Sequence, residues 1–375
     1  MISVSRGFLV VFCALLAAGC EKNGDRGGRQ TGAFEPPGIE VRAPEALKPG
    51  EVSRQPLLER VGGAATLFSR VAPEESGLDF IHRWDPAEAE NDRIATSFAG
   101  GGVALGDVDN DGLPDLFLTR PHGGSRLYRN LGSFKFEDIT ERVGLAQALN
   151  DHWSISASFV DIQGDGYLDL YVCGYRSPNQ LFVNSGRGVF KERGEEFGLR
   201  YAGASLMMSF ADYDRDGDLD AYLLTNRQFG GERPEQLDFK LLPSGHVITP
   251  EPYESEVSAM VKPDGTLHQF DAGQRDILYR NEGGTFVDTG ESVGIRGYFQ
   301  GLSATWWDYN EDGWIDLYVA NDFEGPDHLY RNNRDGTFSD VIHETVPSTP
   351  WFSMGSDAGD LNGDGRLDLI ASDMA

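Results

Sequence analysis

Four carboxylates stand at positions 1, 3, 5 and 9 of one short stretch: Asp107, Asp109, Asp111 and Asp115, with Gly112 at position 6. Such spacing in a tight loop turns the side chains toward a common point. Hard oxygen ligands in that number suit Ca²⁺, which takes six to eight oxygens in a flexible shell. The glycine permits the sharp bend that brings position 9 back onto the first three. The backbone carbonyl of Leu113, at position 7, is a further candidate ligand.

Two other readings apply to a single copy. An EF-hand needs a glutamate at position 12 between two helices; position 12 here is Leu118, and the flanks GVALGD and DLFLT are short apolar runs that predict strands. A metal-free Asp/Gly turn also fits one copy. It fits five copies poorly. The pattern recurs as Asp161, Gln163, Asp165, Asp169; as Asp212, Asp214, Asp216, Asp220; as Asp308, Asn310, Asp312, Asp316; and as Asp360, Asn362, Asp364, Asp368. Each copy has a glycine at position 6 and leads into an apolar run. About one Ca²⁺ per loop, up to five, is the expectation, with the Gln163 loop the weakest.

The elements that must position these loops follow from the same repeat. First-aspartate spacings are 54, 51, 96 and 52 residues, a period that signals a repeat architecture. After each loop come an apolar strand, a second strand (SRLYRN, NQLFVN, DILYRN, DHLYRN), an Asn/Gly turn and a short fourth strand. Four antiparallel strands in about 52 residues make one propeller blade. The fold class is therefore all-β: a β-propeller of four-stranded antiparallel blades with cation loops in its hairpins. The long gap holds an insertion, 227–275, in which PSG and PDG mark turns and VITP and TLHQF suggest a hairpin.

Composition narrows the function. The net charge is −28 and the pI about 4.5, so no basic surface is available to neutralise phosphates, which argues against nucleic acid as a partner. Disorder is the other source of such acidity; an 11% aromatic content and regular strand pattern argue for a folded chain. Of three cysteines, Cys173 lies in the strand YVCGY and reads as a small core residue.

Residues 1–20, MISVSRGFLVVFCALLAAGC, have a basic start at Arg6, an apolar centre and small residues before Cys20. This is an export signal, too short for an ordinary span; an ordinary secretory signal with a chance cysteine is the alternative. Residues 21–64 are rich in Gly, Pro, Arg and Glu and read as a tether. The propeller is expected over 66–375, where LFSRVAPEESGLDF is similar to the segments that close each unit.

The leader resembles a bacterial lipoprotein signal, with acylation of Cys20 and, from Glu21, an outer-membrane or cell-surface location; Ala17 stands where such signals more often have Leu. The repeated G-D-x-D-x-D-G-x-x-D-L resembles the FG-GAP/VCBS propeller repeats. Its combination with LYRN, F-x-D and G-[LI] more narrowly resembles bacterial lipoproteins related to cartilage acidic protein, which usually carry an ASPIC/UnbV segment, absent from these residues. The resemblance implies about seven blades. The chain stops after the second strand of its fifth unit, so a fragment lacking C-terminal blades is expected; the alternative is that 66–82 completes the last blade.

Catalytic signatures are missing from the sequence. His82, His122, His152, His246, His268, His328 and His343 form no HExxH, and there is no G-x-S-x-G or P-loop. Trp306 and Trp307 suggest one side chain packed between blades and one exposed for stacking on sugars. The expected function is a surface-anchored, non-catalytic binding, adhesion or scaffold module. Its partner would be a protein or polysaccharide at the cell surface. The alternative is a polysaccharide hydrolase or lyase with Glu251, Glu254, Glu256, His246 and His268 capping the channel. An integrin-like role, in which a partner carboxylate completes an open metal shell, is a third possibility.

Overall fold

The computed structural model describes residues 70–82, 101–186, 188–227, 237–241, 247–251, 253, 257–261, 264–296, 298–322 and 325–374. The leader with Cys20, the tether, and His246, Glu254 and Glu256 lie outside the described residues.

Blade 1 is a meander of β1 (Val103–Gly106), β2 (Asp115–Leu118), β3 (Arg126–Asn130) and β4 (Phe136–Asp138), hydrogen-bonded in that order. Blade 2 repeats it with β5 (Ser154–Val160), β6 (Asp169–Pro178), β7 (Gln180–Asn184) and β8 (Phe190–Glu192). Blade 3 opens with β9 (Ala202–Ala211) and β10 (Asp220–Thr225). The insertion then supplies β11 (Lys240–Leu241), β12 (Val247–Ile248), β13 (Val257–Val261) and β14 (Leu267–Asp271) before β15 (Ile277–Asn281) and β16 (Phe286–Asp288) finish the sheet. Blade 4 is β17 (Gln300–Trp307), β18 (Asp316–Asp322), β19 (His328–Asn332) and β20 (Phe338–Asp340); β21 (Ser353–Gly359) and β22 (Asp368–Asp373) form a fifth hairpin. A short β6–β9 pairing joins blades 2 and 3 into one curled eight-stranded sheet.

The second strands of blades 2, 3 and 4 read as apolar runs, not alternations, because both their faces are covered; β2 of blade 1 alternates buried and half-buried residues. Every residue of β10 and of β18 is buried. The core lies between consecutive blades. Phe117 and Leu127 of blade 1 pack with Phe159, Leu170 and Phe182 of blade 2. Tyr171 and Leu181 meet Met208, Leu223 and Tyr279, and Tyr222 and Leu278 meet Ala304, Leu317 and Tyr330. Trp307, Tyr318 and Leu329 receive Ala358 and Leu369 of the fifth hairpin. Antiparallel four-stranded sheets stacked face to face in sequence order are propeller blades.

Single-turn helices (Pro73–Ser76, Gly194–Phe197, Gly290–Val293) lead into blades 1, 3 and 4, each followed by a left-handed glycine. Residues 70–82 are therefore the incoming link of blade 1: Tyr128 donates its hydroxyl to Asp79 at 2.9 Å, and the Arg120 guanidinium lies 4.7 Å from the Phe80 ring centroid.

Two expectations need correction. The insertion holds two hairpins, β11–β12 and β13–β14, not one between VITP and TLHQF. Each strand pairs with its sequence neighbour, and the shorter loop costs less closure entropy. Neither tryptophan is exposed. Trp307 is buried, and Trp306 is half-buried between blades 3 and 4, stacked on Tyr213 and donating Nε1–H to Ser209 at 3.1 Å. The sugar-stacking platform is lost with that exposure. Cys173 is a core residue, 1% exposed, its thiol pushed up to about 12 by burial.

Candidate metal centres

Each acidic loop joins the first strand of its unit to the second, so all five gather at one end of the blades. Local backbone bonds make the five loops near copies. The position-1 carboxylate takes two amides: Asp107 accepts from Asp111 N (3.0 Å) and Gly112 N (2.8 Å), Asp161 from Asp165 N and Gly166 N, Asp308 from Asp312 N and Gly313 N, and Asp360 from Asp364 N and Gly365 N. Position 5 accepts the amide two residues on, as Asp111 does from Leu113 and Asp216 from Asp218. The position-6 glycines have φ between 86° and 101°, where a side chain is strained.

Position 9 is the buried post of the loop. Asp115, Asp169, Asp220 and Asp316 are at most 1% exposed. One oxygen of each accepts the amide of loop position 2 and the other an amide of the third strand: Val108 N and Asn130 N for Asp115, Tyr213 N and Asn281 N for Asp220. Burial pushes Asp115, Asp169 and Asp316 up to about 6 and Asp220 up to about 7, with the loop's own carboxylates adding to the shift. Asp368 of the fifth loop makes the corresponding bond to Leu361 N.

Two loops bring three carboxylates together. Asp107, Asp109 and Asp115 each place an oxygen within 4.8 Å of the others, and so do Asp212, Asp214 and Asp216. In loop 3, Asp212 departs from its counterparts: its Oδ2 accepts Gly217 N at 3.2 Å, while Oδ1 is shut off from solvent with no hydrogen-bond partner. A buried carboxylate oxygen without a donor is costly, and beside two more carboxylates a divalent cation is the chemistry that satisfies it. These donors fit Ca²⁺: all are hard oxygens on a loop, and no histidine or cysteine joins them. The loops with neutral Gln163, Asn310 and Asn362 at position 3 form no such carboxylate trio among the described residues.

Sequence reasoning missed the asparagine that ends each third strand. Asn130, Asn184, Asn281 and Asn332 each give the amide that holds position 9, donate Nδ2–H to the carbonyl of position 8, and accept from the following turn. Asn184 also donates to Val108 O of blade 1 at 2.9 Å, and Asn332 to Tyr213 O of blade 3 at 2.8 Å. The signal was present in LYRN and LFVN, where this residue reads merely as a turn former. Position 4 is left-handed in all five loops, at Asn110, Gly164, Arg215, Glu311 and Gly363; the two glycines and the asparagine were its trace in the sequence.

The insertion residues assemble no second site among the described residues. Glu251 is exposed, and His268 stacks on Phe270 at 6.5 Å.

The FG-GAP-like repeat family matches residues 107–172, 161–223 and 308–371. Among curated proteins, cartilage acidic protein 1 of Xenopus tropicalis is 24% identical over 151 residues, 37% of this chain and 23% of that protein. The T-cell immunomodulatory protein homolog of Plasmodium yoelii yoelii is 28% identical over 147 residues, 32% of this chain and 19% of that protein. The matched stretch thus spans about a fifth of each relative. Among solved structures, an Agrocybe aegerita lectin that recognises non-reducing terminal N-acetylglucosamine aligns with TM-score 0.34 and 18% identity over 72% of this chain and 74% of its own. The V. cholerae biofilm matrix protein Bap1 aligns with TM-score 0.28 and 14% identity over 64% and 38%. By family match and by strand order alike, this chain carries three FG-GAP-like repeats within a β-propeller array of antiparallel blades.

Proposed function

We propose that this protein is a calcium-stabilised β-propeller that binds a protein or polysaccharide at the cell surface, exported and anchored through a lipid on Cys20. The metal part of this reading is carried by loop 3, where three carboxylates converge and Asp212 Oδ1 is buried without a donor. Asp107, Asp109 and Asp115 would hold the ion in loop 1, and Asp212, Asp214 and Asp216 in loop 3. The other three loops would use their Asp, Asn and Gln oxygens at positions 1, 3, 5 and 9. Bound Ca²⁺ supplies charge that holds these carboxylates ionised, which also withdraws them from acid–base work. The protein is proposed as non-catalytic, a reading supported by relatives named as a cartilage acidic protein and a T-cell immunomodulatory protein homolog.

Extracellular calcium modules bind with Kd near 10⁻⁴–10⁻³ M. At about 1 mM free Ca²⁺ and a Kd of about 0.1 mM, each site adds about 1.4 kcal/mol, and five would add about 7. That is comparable to the whole stability of an ordinary domain. Melting in calcium and in EGTA tests the proposal. A rise of about 10 °C or more with calcium is expected; a shift of a degree or so refutes it. For the anchor, Cys20→Ser should move the protein from the membrane fraction to the soluble one, and an unchanged distribution would contradict lipidation.

A further inference from the structure

We propose that Arg129 is a built-in counter-ion that sets the cation affinity of loop 1, so that loop 3 fills first and loop 1 later. This rests on the reading of the loops as divalent-cation sites. The two loops have the same four aspartates, and they differ in what neutralises them. In loop 1 the Arg129 guanidinium spans two of the acids, with Nε 2.6 Å from Asp109 Oδ2 and Nη2 2.8 Å from Asp111 Oδ2. Asp109 is also one of the trio that converges with Asp107 and Asp115. The guanidinium therefore holds an oxygen pair that an incoming ion must share or free.

Its placement is not incidental to the fold. Arg129 precedes Asn130, whose amide fixes the position-9 carboxylate, so the strand that props up the loop also delivers the counter-ion. The three side chains are about one-third exposed or less, where attraction is stronger than between fully solvated charges.

Loop 3 lacks this arrangement. Its matching arginine, Arg280, is paired with Glu282 of its own strand end. The charge of Arg280 acts on Asp214 only from beyond ion-pair distance; no arginine ion pair reaches Asp212, Asp214 or Asp216 among the described residues, and Asp212 Oδ1 stays without a donor. Unit 2 shows the converse economy: Val183 stands where the arginine would be, and Gln163 replaces the position-3 acid. In unit 4, position 3 is neutral Asn310, and Arg334, from the turn, pairs with Asp312 at 2.8 Å. Four acids without a cation repel one another. Arg129 relieves that repulsion when no ion is present and competes with the ion when one arrives.

The test is calorimetric titration of CaCl₂ into the metal-stripped full chain, for wild type, Arg129→Gln and Arg129→Lys, with Asp109→Asn/Asp111→Asn to identify the step that belongs to loop 1. In Arg129→Gln that step should tighten at least tenfold, while the melting temperature in EGTA falls. Arg129→Lys, which keeps the charge but loses the two-point grip, should lie between. A misfolded variant would lose affinity, so tightening separates this role from a structural one. An unmoved or weakened loop 1 step in Arg129→Gln overturns the role of Arg129 alone. No calcium uptake by any of these proteins removes the cation reading, and this inference with it.

Discussion

At the residue scale, the aspartates differ in ways that the sequence pattern lumps together. Position 9 is a buried acceptor for two backbone amides in loops 1 to 4; in loop 1 it also converges with positions 1 and 3, whereas in loop 3 positions 1, 3 and 5 converge without it. Asn332 shows how much rests on the partner strand. It is 2% exposed and serves Tyr213 O, Ile315 O and Arg334 N. Asn332→Ala leaves buried carbonyls unpaired and should cost about 2–3 kcal/mol in urea unfolding. Asn281→Ala, whose side-chain bonds stay within its own blade, should cost about 1 kcal/mol less. Equal losses would show that the inter-blade bond adds nothing. A second residue-scale consequence concerns pH. Asp276 accepts from Thr225 N and Tyr222 OH, each at 2.7 Å, and burial pushes it up to about 6, with His328 nearby opposing the shift. A carboxylate raised in the folded state contributes stability that is full below about pH 4 and is lost as pH rises through about 6. About two units correspond to about 3 kcal/mol. Blade 2 carries Asn179 at this place, its Oδ1 accepting Gly174 N at 2.8 Å. Asp276→Asn should therefore gain on wild type in melting temperature between pH 4.5 and 7.5, and parallel pH profiles would contradict this.

At the element scale, the strand order and the loop positions could be read from the amino acids because each depends on local chemistry: apolar runs, turn glycines, acids at fixed offsets. What could not be read depends on neighbours that are far apart in sequence. Trp306 looks like a candidate for exposure until blade 3 supplies Tyr213 and Ser209 against it. The two insertion hairpins share turn signals that do not say which strands pair. Gly198 also needs its neighbour. Its φ of 74° favours glycine, and a Cβ there would lie 2.6 Å from Phe286 O of the fourth strand in the blade it enters; at Gly144, φ is 90° but the nearest atom, Phe190 O, is at 3.4 Å. Gly144→Ala should cost about 1 kcal/mol, the backbone term alone. Gly198→Ala should cost clearly more, since backbone must shift. Chemical denaturation of both variants checks the order, and a reversed order would contradict this packing of link on blade.

At the scale of the whole molecule, several of the loops touch the next loop along the chain. Asn110 donates to Gly166 O at 3.1 Å, the Arg215 guanidinium lies 5.2 Å from the Trp314 ring centroid, and Arg366 pairs with Glu311 at 3.1 Å. These contacts link loop 1 to 2, loop 3 to 4 and loop 4 to 5. A cation held as proposed in one of these loops would brace the blade its loop touches, and would relieve a chain of net charge −28 of repulsion where its carboxylates are dense. The most direct measurement is calorimetric titration of calcium into the EGTA-stripped protein. A calcium-stabilised propeller should take up more than one ion per chain, up to five, with Kd values in the range of about 10⁻⁴–10⁻³ M or tighter. A chain that takes up no calcium, with Asp212 Oδ1 left to water or a proton, would contradict it.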